Sequence, residues 1–311
     1  MDAIHTEGFD AVLTLTDHIE HLPDRKRREL ARIIEILFAE VGAFQASKLS
    51  AKRNSGKILK VILYGSYGRG DWVEDRLSGY RSDYDLLIVV NKKSFADEHE
   101  LWEGIEEQLL KEQIGHRIET PVVPIVHTLH DVNDQLARGR PFFVDIARDG
   151  IVLYEQPGHP LAEPKPLTAE NEREEAEQHF ERWLPNASYC ITQAENAISD
   201  GMVNHAAFDL HQATERFYHC VLLTLTLYSP KSHRIKVLRS QAEGIDSRLI
   251  AAWPRDNRFS RRCFELLSRA YVEARYSPEY TITGEELAWL FEQVKALQAL
   301  VEAICRERLS M

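Results

Sequence analysis

An apolar segment that ends in glycine and serine, followed by two aspartates that open a second apolar segment, constrains the fold of this chain most. Residues 58–64 are apolar apart from Lys60, and Gly65 and Ser66 follow directly. Such a run is typical of a buried strand. Small residues at the end of a strand let a phosphate approach backbone N–H groups. We therefore expect a strand and then a phosphate-binding loop.

The two aspartates, Asp83 and Asp85, lead into the apolar run at residues 86–90. Residues two apart on a strand point to the same face, so both carboxylates can share one divalent cation. Arg69 lies in the glycine-containing loop and offers a permanent charge and five N–H donors to phosphate oxygens. The order of phosphate loop and then metal carboxylates predicts a metal-dependent nucleotide site.

This pattern resembles the nucleotidyltransferase superfamily that includes the DNA polymerase beta-like and minimal nucleotidyltransferases. The resemblance is close over about residues 58–90. It implies that Gly65 and Ser66 contact the triphosphate of ATP, and that Asp83 and Asp85 are the catalytic carboxylates that bind Mg²⁺ or Mn²⁺.

Two features depart from the family pattern. Sixteen residues separate Ser66 from Asp83, which makes this connection longer than the family version. The family has a third acid on a later strand, but residues 121–127, the matching segment here, contain no carboxylate. Glu119 is the candidate third acid, and Asp145 is a weaker one because we expect it on a helix. Without a third acid, the site would bind nucleotide without turning it over.

The positions of the prolines and the spacing of apolar residues divide the chain into two domains and a linker. We predict an α/β nucleotidyltransferase domain with a mixed sheet and an N-terminal helix at 1–155. A linker at 156–167 holds four of the twelve prolines, and an all-α helical bundle follows at 168–311. Predicted bundle helices lie near residues 170–184, 187–199, 203–228, 258–276 and 284–308. The last of them opens with Thr283 and Glu286 in the spacing of a capping box.

The bundle resembles the HEPN domain (higher eukaryotes and prokaryotes nucleotide-binding) at His211–Tyr218 and Ala274–Tyr280. Minimal nucleotidyltransferases and HEPN domains are commonly paired or fused, and HEPN-like bundles often form homo-oligomers. Some HEPN domains cleave RNA with an arginine and a histidine at the start of a late helix. Here Arg173 and His179 have the spacing but lie on the first bundle helix. We therefore expect no RNase activity.

Three polar residues of one bundle helix, His211, Glu215 and His219, are spaced by four and so share a helical face. They could bind a metal or supply a base, or form a polar face opposite the apolar stripe. The layout also resembles aminoglycoside nucleotidyltransferases, in which bundle carboxylates deprotonate an acceptor. That resemblance makes Glu215 the candidate bundle base.

The net charge, the apolar stretches and the first residues limit which partners and which compartment we expect. The net charge is −11, with 20 Lys and Arg against 27 Asp and Glu in residues 1–155 and 18 against 22 in the rest. Neither half has a basic footprint, so a nucleic-acid partner is disfavoured. The apolar stretches are too short to span a bilayer, and residues 1–7 lack a signal-peptide pattern. We expect a cytoplasmic protein with no membrane partner.

These observations favour an enzyme that transfers a nucleoside monophosphate, AMP from Mg²⁺-bound ATP, to a hydroxyl acceptor. The acceptor stays open between a small molecule, a protein tyrosine and a nucleic-acid end. The alternative is a non-catalytic, antitoxin-like module that binds nucleotide through the first domain and carries a HEPN domain. The uncertain third acid favours this alternative.

Overall fold

The computed structural model describes residues 19–47, 55–75, 80–230 and 232–310. The N-terminal segment examined for a signal peptide therefore lies outside the described residues. The chain divides into two units. The first consists of Met1–Val73, Arg81–Gly139 and Phe143–Lys165, and the second of Glu74–Tyr80, Arg140–Phe142 and Pro166–Met311. The main division at Lys165 falls inside the predicted linker, whose exact bounds stay a prediction.

The described residues of the first unit contain a four-stranded mixed sheet with the order β3-β2-β1-β4. Its strands are β1 (Ile58–Tyr64), β2 (Tyr84–Val90), β3 (Val122–Thr128) and β4 (Ile151–Glu155). Strand β1 pairs antiparallel with β2 and β4, whereas β2 and β3 are parallel. A parallel pair needs a crossover connection, which helices supply here. The mixed sheet confirms the predicted fold class.

Helices accompany the sheet. They are α1 (Asp24–Ser47), α2 (Gly65–Arg69), α3 (Lys93–Ala96), α4 (His99–Ile114), α5 (Leu129–Ala137) and α6 (Pro141–Asp149). The apolar stripe of α1, including Ile33 and Leu37, and Ile105 of α4 share one core with Val61 and Leu86 of the sheet. The apolar stripe of α1 thus faces this core. Two expectations were incomplete: residues 65–69 form a helical turn rather than an open loop, and the largely polar α5 was missed.

The second unit is helical. Its elements are α7 (Ala169–Ser199), α8 (Val203–Thr226), α9 (Ile235–Ile245), a 3₁₀ helix (Ser247–Ala252), α10 (Arg258–Ala270), α11 (Glu273–Tyr276) and α12 (Gly284–Ser310). Helix α8 contributes Leu210, Phe217 and Val221 to a core that also contains residues of the other long helices. The all-α prediction for this part of the chain is confirmed. The predicted capping box is also present: Thr283 Oγ1 accepts from the N–H of Glu286, whose carboxylate accepts from the N–H of Thr283.

Several helices of the second unit have other bounds than those predicted. The two helices expected on either side of Pro185 are one helix, α7. Proline removes one N–H donor, but the buried side of the helix continues past it, from Phe180 to Ala187 and Ile191. The helix expected at 258–276 is instead divided at Tyr271. Helix α9 was not predicted, although Ile235 and Leu238 bury its apolar face.

Two further findings concern redox chemistry and membranes. The cysteines Cys190, Cys220, Cys263 and Cys305 are buried and free of disulfides. Among the described residues, no helix combines the length and apolarity needed to cross a membrane.

Candidate active site

The predicted phosphate loop begins where β1 ends. Gly65 follows Tyr64 with φ +67°, in the left-handed region that favours glycine. A Cβ at this position would also collide with the carboxylate of Asp85. Gly70, with φ +84°, ends the turn and donates its N–H to the carbonyl of Ser66 at 2.9 Å. Glycine is therefore required at 65 both for the backbone angle and for the close approach to Asp85.

The sheet register brings the metal carboxylates to this loop. Tyr64 on β1 lies opposite Asp85 on β2, and Asp83 directly precedes that strand. Asp85 is only 7% exposed, whereas Asp83 is half-buried. Among the described residues, Asp85 Oδ1 has no hydrogen-bond partner. Burial, and then the negative charge of Asp83, hold the pKa of Asp85 well above its ordinary value, while Arg69 lowers it.

This arrangement fits a divalent cation. A buried carboxylate oxygen without a partner is costly, and a cation would satisfy it and offset the repulsion between the two aspartates. No group of three or more His, Cys, Asp or Glu residues in the described ranges is arranged to hold a metal ion. Mg²⁺ is commonly bound by one or two carboxylates together with substrate phosphates and water. Asp83 and Asp85 match that requirement.

Arg69 lies beside the aspartates. Its Nε is 3.2 Å from Asp71 Oδ2, and its charge lowers the pKa of Asp85. It also contributes to the lowered pKa of Asp149, for which the hydrogen bonds from Arg148 are the larger cause. The guanidinium is partly exposed. It therefore places an accessible positive charge at the edge of the phosphate loop, and its role as a phosphate contact stays a prediction.

The structure does not supply a third acid at the expected place. On β3, the residue paired with Asp85 is Val123, so the strand offers a methyl-bearing side chain there. Glu119 precedes β3, and its carboxylate forms an ion pair with Arg25 and lies 3.8 Å from Arg81. The hydrogen bond from Arg25 is the main cause that lowers the Glu119 pKa. A role for Glu119 at the metal stays a prediction that requires these ion pairs to open.

Asp145, the weaker candidate, lies on α6 as expected, and Arg148 Nη2 is 2.9 Å from its Oδ1. Its carboxylate is thus already paired with a cation.

Sequence reasoning missed the buried residues that contact the strand of the two aspartates. Tyr84, between Asp83 and Asp85, is fully buried and donates its hydroxyl to Glu29 Oε2 at 3.0 Å. Glu29 and Lys26 are charged residues on the buried side of α1. One signal was present in the sequence: each lies four residues before an apolar member of the helix stripe.

Glu215, the candidate bundle base, lies within the second unit among histidines. Its carboxylate oxygens are 3.9 Å from His211 Nδ1, 3.9 Å from His219 Nε2 and 3.0 Å from His233 Nδ1. His211, Glu215 and His219 are buried, so the alternative in which they form a polar face does not describe a solvent-exposed surface. The reason is that α8 packs against helices on several sides, which one helical stripe cannot show. The role of Glu215 as a base stays a prediction.

The pair with RNase-like spacing, Arg173 and His179, lies on α7. Residues six apart on an α-helix are separated by about 120° around the axis. Their side chains therefore do not share one face, and the expectation of no RNase activity stays a prediction.

Comparison with known families agrees with this architecture. Residues 47–126 match the model of the nucleotidyltransferase domain, and residues 180–304 match the model of the HEPN domain. A search of curated proteins finds no match to the chain. The first match contains β1, the glycine turn and both aspartates. The chain therefore consists of a nucleotidyltransferase domain followed by a C-terminal HEPN domain.

Proposed function

We propose that this protein is a metal-dependent enzyme that transfers a nucleoside monophosphate, AMP from ATP, to a hydroxyl acceptor. The observation that carries the proposal is the buried Asp85 carboxylate, beside Asp83 and against the glycine turn, with one oxygen that has no partner within the described ranges. A carboxylate pair in this position supplies oxygen ligands of the kind that hold Mg²⁺ together with substrate phosphates. The match of residues 47–126 to the nucleotidyltransferase domain supports nucleotidyl transfer as the reaction class.

Each residue of the site has its own role in the proposed reaction. Asp83 and Asp85 would hold Mg²⁺, which supplies positive charge to the triphosphate and to the leaving pyrophosphate. Gly65 and Ser66 bring backbone N–H groups close to the phosphates, and Arg69 adds a guanidinium. These contacts orient the α-phosphorus for in-line attack. The acceptor oxygen bonds to that phosphorus as the bond to pyrophosphate breaks, and the hydroxyl proton passes to water.

Binding and turnover are tested separately. Calorimetry with Mn²⁺ and ATP measures binding, and release of pyrophosphate from labelled ATP measures turnover. Wild type should bind, and Asp83→Asn with Asp85→Asn should lose both signals. Asp97→Asn is the matched control, since Asp97 is an exposed aspartate paired with Lys93. Equal binding by the wild type and the double variant would refute the site assignment.

The second candidate function is nucleotide binding without turnover. The specific observation in its favour is Val123 at the β3 position paired with Asp85, where the family pattern leads us to expect a carboxylate. This function predicts metal-dependent ATP binding and no pyrophosphate release over hours with any hydroxyl acceptor. Release that depends on Asp83 and Asp85 would rule it out.

The acceptor and the assembly also belong to the proposal. We expect a small molecule or a protein hydroxyl rather than nucleic acid, because both halves of the sequence are net acidic. We also expect a homo-oligomer. Light scattering of the purified chain tests the oligomeric state directly.

A further inference from the structure

Helix α1 carries a buried carboxylate with a complete set of donors. Glu29 is 3% exposed. Its Oε2 accepts from the hydroxyls of Tyr84 at 3.0 Å and Thr120 at 2.9 Å. Its Oε1 accepts from the backbone N–H of Glu119 at 3.1 Å and from Arg25 Nε at 3.2 Å. One side chain of α1 is thus bonded to the strand of the aspartates and to the segment that enters β3.

Tyr84 links this carboxylate to the proposed metal site. It lies between Asp83 and Asp85, and alternate residues of a strand point to opposite faces. The tyrosine therefore extends into the core beside α1, while the aspartates face the other way. Its hydroxyl hydrogen bond to Glu29 fixes the strand at the residue between the two carboxylates.

The phosphate loop packs against the same buried residues. Tyr67 of α2 is fully buried, and its ring centroid lies 4.5 Å from that of Tyr84. On its other side it stacks on Trp72 at 5.3 Å. Lys26 Nζ lies 5.2 Å from the Tyr67 ring centroid and 5.8 Å from that of Tyr84, within the range of cation–π attraction. The ammonium also donates to Thr120 Oγ1 at 2.6 Å. Lys26 therefore lies next to both Tyr67 of the phosphate loop and Tyr84 of the strand that carries the aspartates.

We propose that Lys26 and Glu29 are positioning residues that set the separation between the phosphate loop and the aspartate pair. Replacing buried ion pairs by apolar residues is often neutral or stabilising, so stability alone is a weak reason for charges here. A network that fixes two elements holding one ligand has a clearer role, since a displacement of about 1 Å at such a site can cost about 100-fold in rate. The part of this inference that concerns nucleotide binding rests on the proposed function.

A matched pair of variants tests the proposal in the full chain. Glu29→Gln disturbs the network, and Glu112→Gln disturbs another buried carboxylate of the same unit. Glu112 is 1% exposed and accepts from Arg32 and Arg117, neither of which lies on the strand of the aspartates. We expect both variants to lose stability. Only Glu29→Gln should weaken Mn²⁺–ATP binding, by about 10- to 100-fold.

Amide hydrogen exchange supplies a readout that does not need nucleotide. The two variants are compared at urea concentrations that give them equal global stability. Under these conditions, the amides of residues 64–70 and 83–86 should exchange faster in Glu29→Gln than in Glu112→Gln. Equal exchange in the two variants would overturn the inference, even if the wild type bound no Mn²⁺–ATP. Failure of the wild type to bind would refute the proposed function alone. If Glu29→Gln does not fold, Tyr84→Phe removes only the hydroxyl contact and faces the same two criteria.

Discussion

Replacing Asp85 by asparagine should stabilise the first unit while it abolishes metal-dependent nucleotide binding. Asp85 is buried, one of its oxygens has no partner among the described residues, and the charge of Asp83 is close enough to raise its pKa. Asparagine removes the charge and keeps the shape. Sites that bind a charged ligand commonly cost stability in this way.

The magnitude follows from the buried charge. An unsatisfied buried group costs about 1–3 kcal/mol and more when it is charged. Asparagine keeps a polar atom at this position and removes only the charge, so Asp85→Asn should gain on the order of 1 kcal/mol without ligand. Mn²⁺–ATP at 100 times its Kd should stabilise the wild type by about 2.7 kcal/mol and leave the variant unchanged. The order of stability should therefore reverse or become equal when ligand is added.

The assay is hydrogen exchange of the β1 amides, which report on the opening of the first unit, with and without Mn²⁺–ATP. Asp83→Asn is the internal comparison. Asp83 is only half-buried, so its replacement should abolish binding with a smaller gain in stability. If Asp85→Asn is less stable than the wild type in the absence of ligand, the reasoning from burial is wrong.

Three further predictions concern single sites. Gly65→Ala should destabilise the first unit by more than the roughly 1–2 kcal/mol expected for left-handed backbone and abolish Mn²⁺–ATP binding. Gly158→Ala is the control, because it shares the positive φ but has open space around a Cβ; equal losses in calorimetry would contradict the collision with Asp85. Burial, and then the charges of His233 and Arg275, lower the pKa of His211 from 6.5 to about 4. The folded state thus disfavours the proton, and stability is lost as pH falls from about 6.5 to about 4, by about 3 kcal/mol. Urea unfolding should show a flatter pH dependence in His211→Gln, and an unchanged profile would argue against this histidine. Thr283→Ala should cost about 1 kcal/mol through the lost cap, and a melting temperature equal to that of wild type would refute it.

Local patterns were sufficient for much of the fold. The apolar runs located β1 and most of β2, because strands buried on both faces are continuously apolar. The run at 121–127 located β3, although that strand is only partly buried. The capping box at Thr283 was correct because its bonds are made within four residues. Pro185 misled the prediction, since the cost of a proline depends on whether tertiary packing keeps both halves of the helix buried.

The sequence by itself determined the order of the site: a strand, a glycine turn and two aspartates on the next strand. It could not determine what Lys26 and Glu29 contact, because Tyr84 and Thr120 lie 55 to 94 residues away from them along the chain. Only the tertiary structure placed Glu119 with arginines, Val123 beside Asp85, and Glu29 beneath Tyr84. Periodicity reports which side of an element is buried, whereas the packing of distant segments decides which polar groups meet there.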